Sequence, residues 1–238
     1  MKVSDINEKW NRYKEYYHME NGIQIDEIRF DAEKGVECSF DITELYADRY
    51  VLHLSEDMPL YRGTYQDFVL WHEFTHFYDY LTQPFAYNVH RKIYLYMNSY
   101  SEYHAARRSL GKVLEDAFPR GGIDPEKSII PAPYRDMSLR DLVSDTLLQA
   151  EKAHYYFTQD PRQPVFNVYF RYVMDLMGYA SRFENAEDII RFCLEDLQDE
   201  SESLIALYKI MKEKDFFKIL GQMDDIYKEA GITFSSAD

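Results

Sequence analysis

Trp71-His72-Glu73-Phe74-Thr75-His76-Phe77-Tyr78-Asp79-Tyr80 is the stretch from which the rest of the chain can be read. On an α-helix, His72 and His76 stand one turn apart on a single face, about 40° apart around the axis. Two imidazoles so placed can grip one metal ion. Glu73 is turned roughly 100° from His72, where it reaches a water on that ion without being a ligand. The pattern is H-E-x-x-H, in which a helix supplies two zinc ligands and a general base. Phe68, Val69, Leu70, Trp71, Phe74, Phe77, Tyr78, Tyr80 and Leu81 surround these groups, so the helix is expected to be buried. Buried histidines and a buried carboxylate are costly unless something satisfies them. An ion does so, and its charge keeps Glu73 ionised. Alternatively, the histidines form a hydrogen-bonded core pair beside a salt-bridged glutamate.

A catalytic zinc takes three protein ligands and leaves one position open. Glu102, on the next expected helix, is the candidate for the third. Ala105, Ala106 and Ser109 follow it at three, four and seven residues, giving a face of small side chains on which a neighbouring helix can approach closely. His76 lies about 9 Å from the end of its own helix. A tight antiparallel return would therefore bring residues near 93–98 level with it, and Glu102 overshoots unless the second helix starts late or crosses steeply. His90 is thus a competing ligand and His104 a weaker one, while Glu115 and Asp116 lie too far along. Asp79 shares the face of His72 and His76. It suits a supporting role, accepting the spare ring N–H of a histidine, or it is an end-of-helix aspartate bonded to backbone or arginine.

Composition narrows the partners. The chain of 238 residues carries a formal charge of −15, which argues against nucleic-acid or anionic-membrane binding, since either needs a basic face. A hydrophobic share of 46% and an aromatic share of 16% suffice for a large core. With 22 tyrosines, a single tyrosine carries little weight as a functional signal. Cys38 and Cys193 are isolated and suggest no metal site of their own. No secretory signal and no bilayer-spanning apolar run is visible, so a cytoplasmic protein with reduced cysteines is expected.

Outward from the motif, residues 4–20 carry Ile6, Trp10, Tyr13 and Tyr17 at helical spacing, with Asn21-Gly22 as the stop. Alternation follows through Ile23, Ile25, Ile28 and Phe30, through Val36, Cys38 and Phe40, and from Arg49 to Ser55, which predicts a sheet of about three strands. Thr64, with Asp67 as a capping-box variant, is the expected N-cap of a helix over 65–81. A long helix over 89–117 comes next. Pro119, Pro125, Pro131, Pro133, Gly121 and Gly122 then mark a boundary. Further helices are expected over 138–157, 165–180, 186–199 (capped by Asn185), 201–213 and 215–230 (closed by Gly231). The fold class is α+β. A catalytic core spans 1–118, a linker 119–137, and a helical subdomain that packs on the core 138–238.

His72-Glu73-Phe74-Thr75-His76 followed by a helical Glu102 resembles the zincin metallopeptidases, in the gluzincin-like branch whose third ligand is a glutamate. The resemblance covers roughly residues 40–117. In size and composition the chain is similar to the compact zincins carried by phages and mobile elements. The resemblance implies zinc as cofactor, a peptide or protein substrate, and a short mixed sheet packed on the metal-bearing helix. Its last strand, here Tyr50–Ser55, would line the cleft and hold an extended peptide by edge pairing. Many members of that branch place a carboxylate four residues after the glutamate ligand; here that position is Ala106. No H-x-x-G-x-x-H continuation follows His76, which argues against the metzincin branch. The expected activity is peptide-bond hydrolysis, with Glu73 drawing the proton from a zinc-bound water. His154, Tyr155 and Tyr156 are candidate donors to the oxyanion. Two other functions fit the same residues: a catalytically silent zincin-like protein whose acidic helical half docks a partner, and a helical structural protein with an accidental motif.

Overall fold

The computed structural model describes residues 3–19, 23–32, 38–40, 49–58, 63–82, 91–118, 129–130, 137–159, 163–195 and 201–229. The chain divides into two compact units, Met1–Tyr78 with Arg108–Leu139, and Asp79–Arg107 with Arg140–Asp238. The division crosses two long helices instead of falling in the proline-rich stretch. Residues 79–107, expected with the N-terminal core, group with the C-terminal helices.

In the first unit, α1 (Val3–Tyr16) buries Ile6, Trp10 and Tyr13, the stripe that its periodicity predicts. It stops earlier than expected. His18 takes a φ of 53°, Met19 N–H donates to the Lys14 carbonyl at 2.9 Å, and His18 N–H donates to that of Glu15 at 3.3 Å. This is a Schellman closure with histidine in the left-handed position usually given to glycine. Three strands follow: β1 (Glu27–Arg29), β2 (Cys38–Phe40) and β3 (Val51–Leu54). They lie in the order β1-β3-β2, with β1 parallel and β2 antiparallel to β3. The expected mixed sheet is therefore present, and the α+β class holds.

The expectation of edge pairing on the last strand does not hold. β3 is central, since Val51–His53 pair with β1 and Leu52–Leu54 with β2, so its backbone groups are taken on both sides. Its burial fits that place. Val51 is buried as well as Leu52 and Leu54, where strict alternation would have exposed it.

Gly63, at a φ of 58°, leads into α2 (Thr64–Thr82), which carries the motif. The Asp67 carboxylate in its first turn receives Lys9 Nζ from α1. Further on, α3 (Arg91–Ala117) is a single long helix. The stretch expected to be a linker contains a two-stranded antiparallel ribbon, β4 (Ile129–Ile130) with β5 (Met137–Ser138).

The second unit holds α4 (Leu139–Gln159) from Arg140 onward, α5 (Gln163–Ala180), α6 (Ala186–Leu194), α7 (Ser201–Ile210) and α8 (Phe216–Glu229). The last three are shorter than their periodicity suggested. Asn185 occupies the N-cap position of α6, but its side chain makes no capping bond; Gly231 lies outside the described residues. Several of the tyrosines in this unit serve in core packing. Tyr96 and Tyr227 stack at 4.8 Å, Tyr96 donates to Asp224 Oδ1 at 2.9 Å, and Tyr100 donates to the Glu213 carbonyl at 3.0 Å. Burial first, then the Asp224 carboxylate, pushes the Tyr96 phenol upward, so it remains a neutral donor. No helix among the described residues is long and apolar enough to cross a membrane.

Candidate metal centre

The rotation of α2 is set from behind its histidines. Phe74 is two residues from each of His72 and His76, and so lies roughly on the opposite side of the helix. Trp10 packs on Phe74 at 5.1 Å and on Phe77 at 5.0 Å, while Tyr13 packs on Trp71 at 5.0 Å. Phe77 also stacks on Phe40 of β2 at 4.7 Å, which seats the helix on the sheet. A directed chain of hydrogen bonds fixes the same side: Arg108 Nη1 donates to the Tyr13 oxygen at 3.0 Å, Tyr13 O–H to Thr75 Oγ1 at 2.9 Å, and Thr75 O–H to the Trp71 carbonyl at 2.8 Å. The Arg108 guanidinium lies 4.4 Å from the ring centres of both Tyr17 and Tyr78.

With its aromatic side so held, α2 gathers His72, Glu73 and His76 at one place. One ligand-type atom from each lies within 4.8 Å of the others. The imidazole centres are 4.8 Å apart with the rings at 80° to each other. His72 and Glu73 are buried, and His76 is half-buried. Tetrahedral zinc with bonds of about 2 Å needs its nitrogens roughly 3.3 Å apart. Side-chain rotation on a fixed helix covers that difference, so these residues fit such an ion.

Glu102 lies in the second unit and is buried near the middle of α3. Its small-residue face is used as its composition suggests, and the helix that exploits it there is α5. A Cβ built on Gly178 would come within 2.6 Å of both Ala106 Cβ and the Tyr103 carbonyl oxygen, and within 2.9 Å of Arg107 N. Only glycine permits this crossing. One turn before Gly178, Asp175 is brought beside Glu102, with carboxylate oxygens of the two within 4.8 Å of each other. Arg171, a turn earlier again, has its Nε 3.9 Å from Glu102 Oε1. Asp175 was not singled out from the sequence. The available signal was a lone carboxylate inside the apolar run Tyr172-Val173-Met174-Asp175-Leu176-Met177.

Asp79 does face a histidine, but that histidine is His104. Its Oδ2 lies 3.5 Å from His104 Nδ1, and His104 Nε2 donates to the Met211 carbonyl at 3.2 Å. His104 Nε2 is thereby committed to the Met211 carbonyl, while Nδ1 faces the Asp79 carboxylate without a hydrogen bond. His90 lies outside the described residues. The Glu115 carboxylate accepts from Tyr16 O–H at 2.6 Å, and Asp116 pairs with Lys112. Of the oxyanion candidates, His154 is half-buried, with its ring 5.0 Å from that of Tyr169. Tyr155 and Tyr156 are each 63% exposed, so neither is desolvated as an oxyanion donor should be. Comparisons with protein-family models, curated proteins and solved structures return no match.

Proposed function

We propose that the protein is a zinc-dependent metallopeptidase, with His72 and His76 as ligands on α2, Glu102 as the third protein ligand, and Glu73 as general base. The observation that carries this is the convergence of His72, Glu73 and His76 donor atoms within 4.8 Å on one helix held from behind by an aromatic wall.

When bound, zinc supplies Lewis acidity that lowers the pKa of water and stabilises charge developing on a carbonyl oxygen. The residues of the chain do the remainder. His72 and His76 present neutral imidazole nitrogens from one helical face. Glu73, rotated away from that face, takes the proton from the attacking water and hands it to the departing amide nitrogen. Burial keeps Glu73 from bulk water, which strengthens its interaction with the reacting atoms.

The test is metal content and cleavage measured on the same preparations. The wild-type chain, purified without added zinc, is expected to carry zinc and to cleave members of a quenched-fluorescent peptide library. Glu73→Gln should keep the zinc and lose at least about a hundredfold in turnover, whereas His76→Ala should lose both. Glu73→Gln turning over at the wild-type rate would remove the mechanism. A wild-type protein that binds no zinc would remove the metal site.

A further inference from the structure

We propose that the outer face of α4 is a self-association surface, which packs antiparallel on the same face of a second copy of this chain. The inference uses no residue of the proposed metal centre. The inner side of α4 is accounted for within the second unit. Thr146, Ala150 and Ala153 are buried there, the Thr146 hydroxyl donates to the Leu142 carbonyl at 2.8 Å, and the His154 ring lies 5.0 Å from that of Tyr169 on α5. On the other side, Asp145, Leu148, Lys152, Tyr155 and Tyr156 are all exposed. At 100° per residue these five fall within about 100° of one another, which makes a single stripe. Leu148 is 46% exposed, and Tyr155 and Tyr156 63% each. No other described helix exposes three large apolar side chains.

The order of charges along the stripe points to the occupant. Asp145 and Lys152 are equidistant from the midpoint between Leu148 and Gln149 and opposite in sign. A two-fold axis through that midpoint sets an identical helix antiparallel, with Asp145 opposite the second copy's Lys152 and Lys152 opposite its Asp145. Both pairs form at once, because a two-fold interface is self-complementary. A parallel alignment would set like charge on like charge, which is costly. Among the described residues Lys152 makes no ion pair, so it enters the contact with its charge unanswered. Leu148 of each copy lies beside the axis. Tyr155 and Tyr156 then close over the first turn of the second copy's α4, placing large rings in contact while their hydroxyls stay wet at the rim. Asp145 to Tyr156 spans about 16.5 Å of helix. A contact of that length buries less than the roughly 800 Å² per partner of a standard interface, so the dimer is weak and concentration-dependent.

Sedimentation equilibrium of the full chain tests this, in about 0.15 M salt to screen the repulsion between two acidic molecules. The wild type should be monomeric near 1 μM and approach the dimer mass by about 200 μM. Leu148→Asp should hold it monomeric across that range. Asp145→Lys or Lys152→Asp alone should weaken association at least about tenfold, since the symmetry makes each change count twice. The double reversal, Asp145→Lys with Lys152→Asp, restores both pairs and should return the dissociation constant to within about threefold of wild type. Far-UV circular dichroism checks that each variant keeps its helices. A wild type that stays monomeric at about 200 μM would overturn the proposal and leave the face to a different partner. A dimer that survives Leu148→Asp would overturn it by placing the interface elsewhere. A double reversal no better than the single ones would overturn the antiparallel pairing.

Discussion

Gly178→Ala is the substitution whose outcome the structure constrains most tightly. In an exposed helix interior, replacing glycine by alanine stabilises by about 1 kcal/mol, because alanine restricts the unfolded chain and favours the helix. At Gly178 the added methyl would sit 2.6 Å from Ala106 Cβ and from the Tyr103 carbonyl oxygen, and 2.9 Å from Arg107 N. Ordinary contact is about 3.4–4 Å, so α5 must move by roughly 1 Å against the backbone of α3, which cannot yield as a side chain would. Overpacking of this kind costs about 1–3 kcal/mol, and a backbone obstacle belongs at the upper end. After the propensity gain, the net loss is about 2 kcal/mol, or roughly 4–8 °C in Tm for a chain of this size. Gly221, inside α8 with nothing within 4 Å of its would-be Cβ, is the control and should gain up to about 1 kcal/mol as alanine. Urea titration followed by circular dichroism measures both. The two substitutions should have opposite signs; Gly178→Ala stabilising as much as Gly221→Ala would refute the close crossing of α3 and α5.

The remaining expectations are simpler to state. His18→Gly should stabilise by about 1 kcal/mol in thermal unfolding, since His18 holds a φ of 53° that glycine adopts without steric cost. Tyr13→Phe should cost about 2 kcal/mol in urea titration, because it takes the acceptor from Arg108 and the donor from Thr75 inside the core. Tyr16→Phe, whose hydroxyl bonds to Glu115 at the surface, should stay within about 0.5 kcal/mol. Glu27 is held below its ordinary value of 4.5 first by the hydrogen bond from Arg29, with the charges of Arg29 and Arg49 adding to it. A carboxylate depressed in the folded state contributes stability that is fully present above pH 4.5 and is lost as pH falls through its folded value. Glu27→Gln should therefore flatten the acid limb of a stability–pH profile below 4.5 and leave its slope near neutrality unchanged.

Much of the local structure could be read directly. Ile6, Trp10 and Tyr13 mark one buried face of α1, and the H-E-x-x-H spacing puts two imidazoles one turn apart whatever surrounds them, because helical periodicity is a property of neighbours in the chain. The small face after Glu102 was equally visible in Ala105 and Ala106. What the sequence could not state is which partner each prepared surface would meet. Asp79 was expected to serve a histidine and found His104, from another helix. The strand 51–54 is expected from its sequence as a partly alternating edge, but pairing on both sides makes it central and buries Val51 as well. Asp175 gained its place beside Glu102 only through Gly178, three residues on, whose missing side chain matters solely because Ala106 and the Tyr103 carbonyl lie opposite. Periodicity and donor chemistry are local and survive in one dimension. Strand order, helix crossings and the pairing of buried charges depend on contacts between residues far apart in the chain, and packing in three dimensions decided them.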